Sequence, residues 1–395
     1  MALTSSALFL MVCLSMADPA IGLLIEENGT TDPGTIGEFT GGDSDPMCLG
    51  ILSSGSMVYF ESDPDAGAGA DDAIVLFDED ASGGGINRFS IIASEEDLLS
   101  IATLPSPATL EANDIAIGDD DTVYALIARD RIYPIAWHIF RIPHLEDNSF
   151  GSPEIVAGPL QLGSPSGLLH SMAIDTSTDP DTLIIGIDDG NRDHDTSTNG
   201  IYTLDASQTY GTPTMIGGGA ATLGAVSAAV GGVPGTDKGT CTSLTVLPSG
   251  NILVSHGGYY AGVARGNIVE IDRSTGAASL WLDASLEEGT PMTGCVRFNP
   301  DSDRVAVFWY VGADGDEPET DDRIDEYTTA GESEGTVVTE PEIELVANSS
   351  SDLNIMGNAF AIDGESYLMF LYNSSESLVR VSPGSPAELS VLSAD

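Results

Sequence analysis

Basic residues are scarce in this chain of 395 residues, in which Lys and Arg together number 12 against 62 Asp and Glu. The formal net charge is -50 at pH 7, and Lys238 is the single lysine. Binding to nucleic acid or to an anionic membrane surface depends on Lys and Arg side chains that neutralise phosphate groups. We therefore expect neither as a partner. So much like charge also repels itself unless salt screens it, which predicts a saline or calcium-containing environment.

Cysteine is also rare, with four in the whole chain. No two of them have the C-x-x-C spacing that is typical of zinc sites. Removal of residues 1–17 would leave Cys48, Cys241 and Cys295, an odd number that permits at most one internal disulfide. We predict that Cys241 pairs with Cys295.

Long apolar runs are missing. The stretch ALFLMVCLSMA at residues 7–17 is too short to span a bilayer, and no other run approaches the ~18 residues required. Ser15 and Ala17 are small residues of the kind that precede a signal-peptidase cleavage site. We expect residues 1–17 to be a signal peptide, the mature chain to be secreted or periplasmic, and no segment to insert into a membrane. No Lys or Arg precedes the apolar run, so an ordinary strand is the alternative.

Aromatic residues make up only 6% of the chain, whereas Gly numbers 45 and Pro 21, which favours many short strands joined by turns. The phrase LEANDIAIGDDDTVYALI consists of an apolar strand, an acidic turn and a second apolar strand. Similar phrases recur about every 60 residues, which is the size of a small sheet with variable loops. They occupy residues 48–62, 110–127, 168–187, 239–257, 293–310 and 357–372.

Most of these phrases are followed by a second pair of strands, so the sequence predicts six units of four antiparallel strands. A solitary four-stranded sheet exposes two edges and one poorly covered face, and a closed ring removes that problem. We therefore predict an all-β, six-bladed β-propeller over residues 47–395, preceded by an N-terminal segment at 18–46. Within that segment, residues 23–40 look like a hairpin that could close the ring by pairing with the last unit. The alternatives are a seven-bladed ring, if that hairpin belongs to a further blade, and a pair of β-sandwiches.

Helix should be scarce in such a fold. The best candidate is SEEDLLSIA at 94–102, with Ser94 as the N-cap and acidic residues in the first turn. The Gly- and Ala-rich segment 217–235 contains no basic residue that could hold a phosphate, so it is interpreted as an insertion between two blades.

One mouth of the central channel is the predicted ligand-binding face. There the residue before each inner strand should meet the loops that join second and third strands. Across the six units that position holds Met47, Asn113, His170, Thr242, Gly294 and Asn358. His256 belongs to the same face, as do Tyr259, Tyr260 and Arg265, which could stack on a sugar or bind a carboxylated ligand. A rim hydrogen-bonded to water, with these loop residues packed on each other, is the alternative.

Three phrases resemble the blade phrase of six-bladed propellers of the NHL and gluconolactonase/paraoxonase-like kind. They are NDIAIGDDDTVYAL (113–126), SLTVLPSGNILVS (243–255) and NIVEIDRSTG (267–276). The resemblance covers roughly residues 47–395, and it implies the fold more strongly than it implies a chemistry.

The resemblance also implies a calcium ion in the channel. In the gluconolactonase/paraoxonase-like relatives such an ion is held by Glu, Asn and Asp at these positions, which would make Asn113 and Asn358 calcium ligands here. This chain departs from the pattern at Met47, where an acidic ligand would be wanted, and at His170, which replaces a carboxamide or carboxylate.

We expect an exported, acidic β-propeller that acts as a monomer and as a binding module for a protein or a small-molecule ligand. The alternative is a calcium-dependent hydrolase of the lactonase or esterase type, with His170 or His256 as the general base for water, since histidine titrates near neutrality. Either histidine could instead be an ordinary hydrogen-bonded residue near a strand end. No G-x-S-x-G, H-E-x-x-H or P-loop motif favours another chemistry.

Overall fold

The structure, a computed structural model, shows six four-stranded antiparallel sheets arranged as the blades of a six-bladed β-propeller. The predicted fold class is confirmed. The sheets of the described residues number six, so the seven-bladed ring and the β-sandwich pair do not occur there. The described residues are 20–26, 45–62, 72–78, 89–102, 110–129, 137–160, 168–188, 199–231, 241–256, 266–284, 292–310, 322–340, 342, 355–364, 366–371 and 377–382.

In blades 1 to 5 the four strands follow one another along the chain from the axis outward, and the first strands of neighbouring blades contact each other in a closed circle. The first described strand, β1 (Ala20–Glu26), belongs to blade 6. Blade 1 consists of β2 (Asp45–Ile51), β3 (Met57–Ser62), β4 (Ala73–Phe77) and β5 (Phe89–Ser94), and blade 2 of β6 (Leu110–Ile117), β7 (Val123–Arg129), β8 (Trp137–Ile142) and β9 (Glu154–Leu160). Blade 3 consists of β10 (Leu168–Asp175), β11 (Thr182–Asp188), β12 (Gly200–Asp205) and β13 (Thr214–Met215), and blade 4 of β14 (Leu244–Val246), β15 (Ile252–His256), β16 (Asn267–Ile271) and β17 (Ala278–Leu282). Blade 5 consists of β18 (Met292–Asn299), β19 (Arg304–Tyr310), β20 (Arg323–Thr328) and β21 (Ser333–Thr339), and blade 6 contains β22 (Ile355–Asp363), β23 (Ser366–Leu371) and β24 (Ser377–Ser382).

Blade 6 is completed by the start of the chain. β1 pairs antiparallel with β24, from Ala20 opposite Ser382 to Glu26 opposite Ser377, and so supplies the fourth strand of a sheet that otherwise has three. A ring built in this way covers the edge of β24, which would otherwise be open to another chain. The segment proposed for closure, 23–40, shares residues 23–26 with β1, and its remainder lies outside the described residues.

The second strands show why the blades stack. β19, with the sequence RVAVFWY, is buried along its middle five residues, and all five residues of β15 are buried. Continuous rather than alternating burial is expected where both faces of a sheet are covered, here by the two neighbouring blades. The outermost strand β17 is largely exposed by comparison. Apolar side chains therefore collect between blades, in clusters such as the one that Leu126, Trp137 and Ile185 form across the interface of blades 2 and 3.

The inner strands are longer than the sequence analysis predicted, because β-bulges let them continue. The register of the first strand pair shifts at Cys48, Asn113, His170 and Gly294, and it is irregular between Ile355 and Phe360. A bulge inserts one extra residue and re-aims the side chains next to it. Five of the six positions that were expected just before the inner strands therefore lie within them, and Thr242 alone precedes its strand, β14.

The predicted helix is present as α1 (Glu95–Ala102), with Glu95, Glu96 and Asp97 in its first turn. The Ser94 hydroxyl accepts a hydrogen bond from the Asp97 backbone N–H at 3.3 Å, and the Asp97 carboxylate accepts one from the Ser94 backbone N–H at 3.2 Å. These reciprocal bonds form a capping box and confirm Ser94 as the N-cap.

Two further helical segments, α2 (Ile216–Gly219) and α3 (Leu223–Ala229), begin the Gly- and Ala-rich insertion. Thr222 caps α3 by accepting a hydrogen bond from the Ala225 backbone N–H. The described part of the insertion is therefore packed between blades 3 and 4. None of the helices in the described residues is long and apolar enough to cross a membrane. The proposed signal peptide, residues 1–17, lies outside those residues.

Candidate functional site at the propeller axis

Two polar side chains, Asp114 at the bulge of β6 and Ser243 just before β14, tie their inner strands to the next blade. Asp114 Oδ2 in blade 2 accepts a hydrogen bond from the backbone N–H of Met172 in blade 3 at 2.8 Å. Ser243 Oγ in blade 4 accepts one from the backbone N–H of Val296 in blade 5 at 3.1 Å. Both side chains are fully buried. The inner strands have no further strand on the axial side, so these side chains satisfy backbone donors that would otherwise be orphaned.

An ion pair crosses the axis between opposite blades. Arg297 Nη2 of blade 5 lies 3.4 Å from Asp114 Oδ1 of blade 2, and the Arg297 and Asp114 side chains are 16% and 0% exposed. Arg297 Nη1 also donates to Ser243 Oγ at 2.7 Å, to the carbonyl of Val296 at 3.1 Å and to that of Leu244 at 3.3 Å. Because blades 2 and 5 face each other across a six-membered ring, this pair spans the channel at that level.

Burial is the largest cause of the pKa shifts of Asp114 and Cys295 near the axis. Desolvation raises the pKa of Asp114 from 3.8 to about 7, although the charge of Arg297 and two backbone hydrogen bonds lower it. Burial likewise raises the pKa of the Cys295 thiol. The thiol is therefore protonated and a poor nucleophile at neutral pH. Asp114 by contrast can hold or release a proton in the physiological range.

The predicted disulfide is wrong. Cys48, Cys241 and Cys295 are buried thiols, and none of the three forms a disulfide. Cys241 Sγ lies 3.1 Å from Ser171 Oγ of blade 3, whereas Cys295 Sγ lies 3.3 Å from Ser243 Oγ of blade 4. The two thiols thus face different blade interfaces, which keeps them apart although their inner strands are neighbours.

Three of the predicted site residues occupy the same structural position. Asn113 and His170 are the bulge residues of β6 and β10, and Asn358 lies in the irregular part of β22. Asn113 is half-buried and directly precedes Asp114, so it lies next to the axial ion pair along the chain. The side chains of His170 and Asn358 lie outside the described part of the structure.

The remaining predicted residues lie farther from the axis or outside the described residues. His256 is the last residue of β15, a second strand, and its side chain is buried. Glu61, near the end of the second strand β3 in the opposite blade, is also buried. Tyr259, Tyr260 and Arg265 lie outside the described residues.

Arg297 and Ser243 are the functional candidates that sequence reasoning missed. The signal was present in CVRFN, where a single cation interrupts an apolar inner strand. Such a cation needs a buried partner. The aspartate of NDIAI is that partner, but no spacing rule relates residues in opposite blades.

The predicted calcium site would need oxygen donors from several inner strands. Calcium takes six to eight oxygen ligands. The bulge positions equivalent to Asn113 hold Cys48 and Gly294 in blades 1 and 5, which offer no side-chain oxygen. Among the described residues there is no group of three or more His, Cys, Asp or Glu side chains placed to hold a metal ion. Calcium ligation by Asn113 and Asn358 stays a prediction.

Comparison with known proteins adds evidence on the fold. No protein-family profile matches the chain, and no curated protein matches it in sequence. A Penicillium chrysogenum α-L-arabinanase complexed with arabinobiose aligns with a TM-score of 0.51 and 10% identity, over 92% of this chain and 98% of the other. A GH93 α-L-arabinofuranosidase of Fusarium graminearum with arabinobiose aligns with a TM-score of 0.51 and 11% identity, over 86% of this chain and 93% of the other.

At these identities the likeness shows the fold alone. The propeller part of the predicted resemblance is confirmed. These two structures are an α-L-arabinanase and a GH93 α-L-arabinofuranosidase, not NHL or gluconolactonase/paraoxonase-like proteins.

Proposed function

We propose that the protein is a saccharide-binding propeller whose site lies at the mouth of the axial channel, beside Asn113, His170 and Asn358. The observation that carries this is their shared position at irregularities of three inner strands, next to an axis crossed by the Asp114–Arg297 pair. Bulges often re-aim side chains next to binding and active sites. Amide and imidazole groups at one level of a ring can bind several hydroxyls of one ligand.

The ligand class follows from charge. A protein with a net charge of -50 repels anionic ligands, which favours a neutral one. Hydroxyl-rich neutral ligands are also what amide side chains recognise well. The likeness to two arabinose-glycan enzymes, each solved with arabinobiose, makes that neutral disaccharide the natural first probe.

Isothermal titration with arabinobiose tests the proposal. We expect measurable binding, weakened about tenfold or more by Asn113→Ala and by His170→Ala, since each removes a polar partner of the ligand. His144→Ala is the matched control, because His144 lies in the turn between β8 and β9, at the opposite end of the blades. The proposal fails if arabinobiose does not bind, or if binding survives both axial substitutions.

A hydrolase is the second candidate, and the likeness to an α-L-arabinanase and an α-L-arabinofuranosidase favours it. A carboxyl group that keeps its proton near neutrality can act as a general acid, but glycoside hydrolysis needs a second carboxylate. If Asp114 is that acid, hydrolysis of an aryl arabinofuranoside should fall as pH rises through about 7. Asp114→Asn should then abolish turnover while arabinobiose still binds. A panel of lactones and aryl esters, assayed with and without a calcium chelator, tests the calcium-dependent lactonase.

Export and a monomeric state belong to the same proposal. The apolar run at residues 7–17 supports export. Expression with the intact N-terminus, followed by N-terminal sequencing of the product, tests it. Light scattering after size-exclusion chromatography tests the oligomeric state.

A further inference from the structure

A cleft lies at the seam of blades 3 and 4, at the end of the blades opposite the bulges. It has a volume of about 570 Å³. Ligand sites commonly occupy a few hundred to about a thousand Å³. Its walls are the turn between β10 and β11, the outer strands β12 and β13, the helical turn α2, and Arg273 of blade 4. We call it the seam cleft.

The frame of the seam cleft is rigid because two backbone segments meet closely beside it. Gly217 has a left-handed φ of 65°, and a Cβ there would collide with the backbone carbonyl of Thr275 in blade 4. Gly276 also has a positive φ, and a Cβ there would come within 2.9 Å of Ala220. Only glycine allows so close an approach with these dihedrals. The cleft wall is thus fixed across the blade interface before any ligand binds.

The threonine hydroxyls of the seam cleft offer oxygen atoms that can accept hydrogen bonds from a ligand. Thr178 Oγ1 can donate to the Asp175 carbonyl at 3.1 Å and lies 2.9 Å from Thr182 Oγ1. Thr203 Oγ1 donates to the Thr214 carbonyl at 3.3 Å. A threonine hydroxyl has one proton and two lone pairs. With the protons of Thr178 and Thr203 directed to backbone carbonyls, their oxygens are left to accept hydrogen bonds from a ligand.

The charged side chains of the seam cleft also favour a ligand that donates hydrogen bonds. Asp205 accepts hydrogen bonds from the backbone N–H and the hydroxyl of Ser207, which lower its pKa and keep it ionised. Asp179 is a second, exposed carboxylate in the lining. The one cation, Arg273, is paired with Asp175, so its charge is already balanced. A ligand rich in hydrogen-bond donors and free of negative charge matches this lining.

We propose that the seam cleft is a second binding site, for a small polyhydroxylated ligand of monosaccharide size. The site prefers an amino sugar to a neutral sugar and rejects a sugar acid. Sugar hydroxyls donate to the threonine oxygens, and an ammonium group pairs with Asp179 or Asp205. Met215 and Pro180 supply the apolar surface that the carbon face of a sugar needs. The site is independent of the axial one, which lies at the other end of the blades.

Saturation-transfer NMR with glucosamine, glucose and glucuronate tests the proposal, because glucosamine and glucuronate each differ from glucose at one carbon. We expect binding to decrease in that order, with glucuronate at background. Thr214→Trp, on an exposed cleft residue, should abolish the glucosamine signal by filling the space. Ser333→Trp, on the exposed outermost strand of blade 5, is the matched control and should leave it unchanged.

Thr203→Val gives a second readout should the Trp variant misfold, since it removes one hydroxyl and keeps the shape. It should weaken glucosamine binding several-fold without changing arabinobiose binding at the axis. The seam cleft proposal is overturned if glucosamine does not bind, if glucuronate binds as well as glucosamine, or if both cleft variants bind like the wild type. If the protein binds glucosamine but not arabinobiose, only the proposal of the axial site is overturned.

Discussion

Arg297 and Asp114 lie in opposite blades of the ring, 183 residues apart in sequence, yet Nη2 of one is 3.4 Å from Oδ1 of the other. The pair crosses the axis and joins two blades that are not neighbours in the ring. Both ions are largely withdrawn from water, so each depends on the other and on its hydrogen bonds.

Loss of one partner should therefore cost more than loss of both. Arg297→Met leaves a buried carboxylate without its counter-ion and should lower the free energy of unfolding by about 3 kcal/mol or more. The double variant with Asp114→Asn should recover part of that loss. Chemical denaturation at pH 8, where Asp114 is mostly ionised, measures both.

A surface pair provides the control. Arg304 and Glu334 are also 3.4 Å apart, but their side chains are 34% and 39% exposed. Arg304→Met should cost less than about 1 kcal/mol, because exposed pairs are screened by water. If Arg297→Met and Arg304→Met lower the free energy of unfolding equally, burial does not make the axial pair more important than the surface pair.

Stability should depend on pH through Asp114. The folded state holds its proton up to about pH 7, whereas an unfolded chain releases it near 3.8. The folded state therefore binds more protons between these values, and the stabilisation is full below pH 3.8 and lost as pH rises through about 7. The difference in unfolding free energy between the wild type and Asp114→Asn should fall by up to about 4 kcal/mol across that range. Denaturation curves over a pH series measure it, and a difference that is constant or rises with pH would contradict the assignment.

The cysteines should behave as buried free thiols. Alkylation of the folded protein should leave Cys48, Cys241 and Cys295 unmodified, and unfolding should expose all three to the reagent. Peptide mass spectrometry of the two samples, digested without a reductant, gives the answer. A disulfide-linked peptide joining Cys241 to Cys295 would show that the free-thiol assignment is wrong.

Deletion of β1 should open the ring. Removing residues 1–26 uncovers the edge of β24, so we expect a lower Tm and concentration-dependent aggregation. Removing residues 1–19 keeps β1 and is the matched control. Identical melting of the two truncated chains would argue against closure by β1.

The fold could be predicted from the sequence because its signal is local and repeated. Each strand-turn-strand phrase carries its own turn residues, and Ser94 with Asp97 encodes a capping box within four positions. The axial pair could not be predicted in the same way, since Asp114 and Arg297 meet only when the ring closes. The bulge at Asn113 was missed for a related reason, because an extra residue interrupts pairing without changing the apolar pattern.

The central claim is that a saccharide binds at the axial mouth, next to the Asp114–Arg297 pair. A crystal structure of the full chain grown with arabinobiose tests it most directly. We predict six blades, an Asp114–Arg297 pair across the axis, and density for the disaccharide in contact with Asn113 and His170. Density for the sugar at another place, or a channel left open because Arg297 turns away from Asp114, would contradict the account.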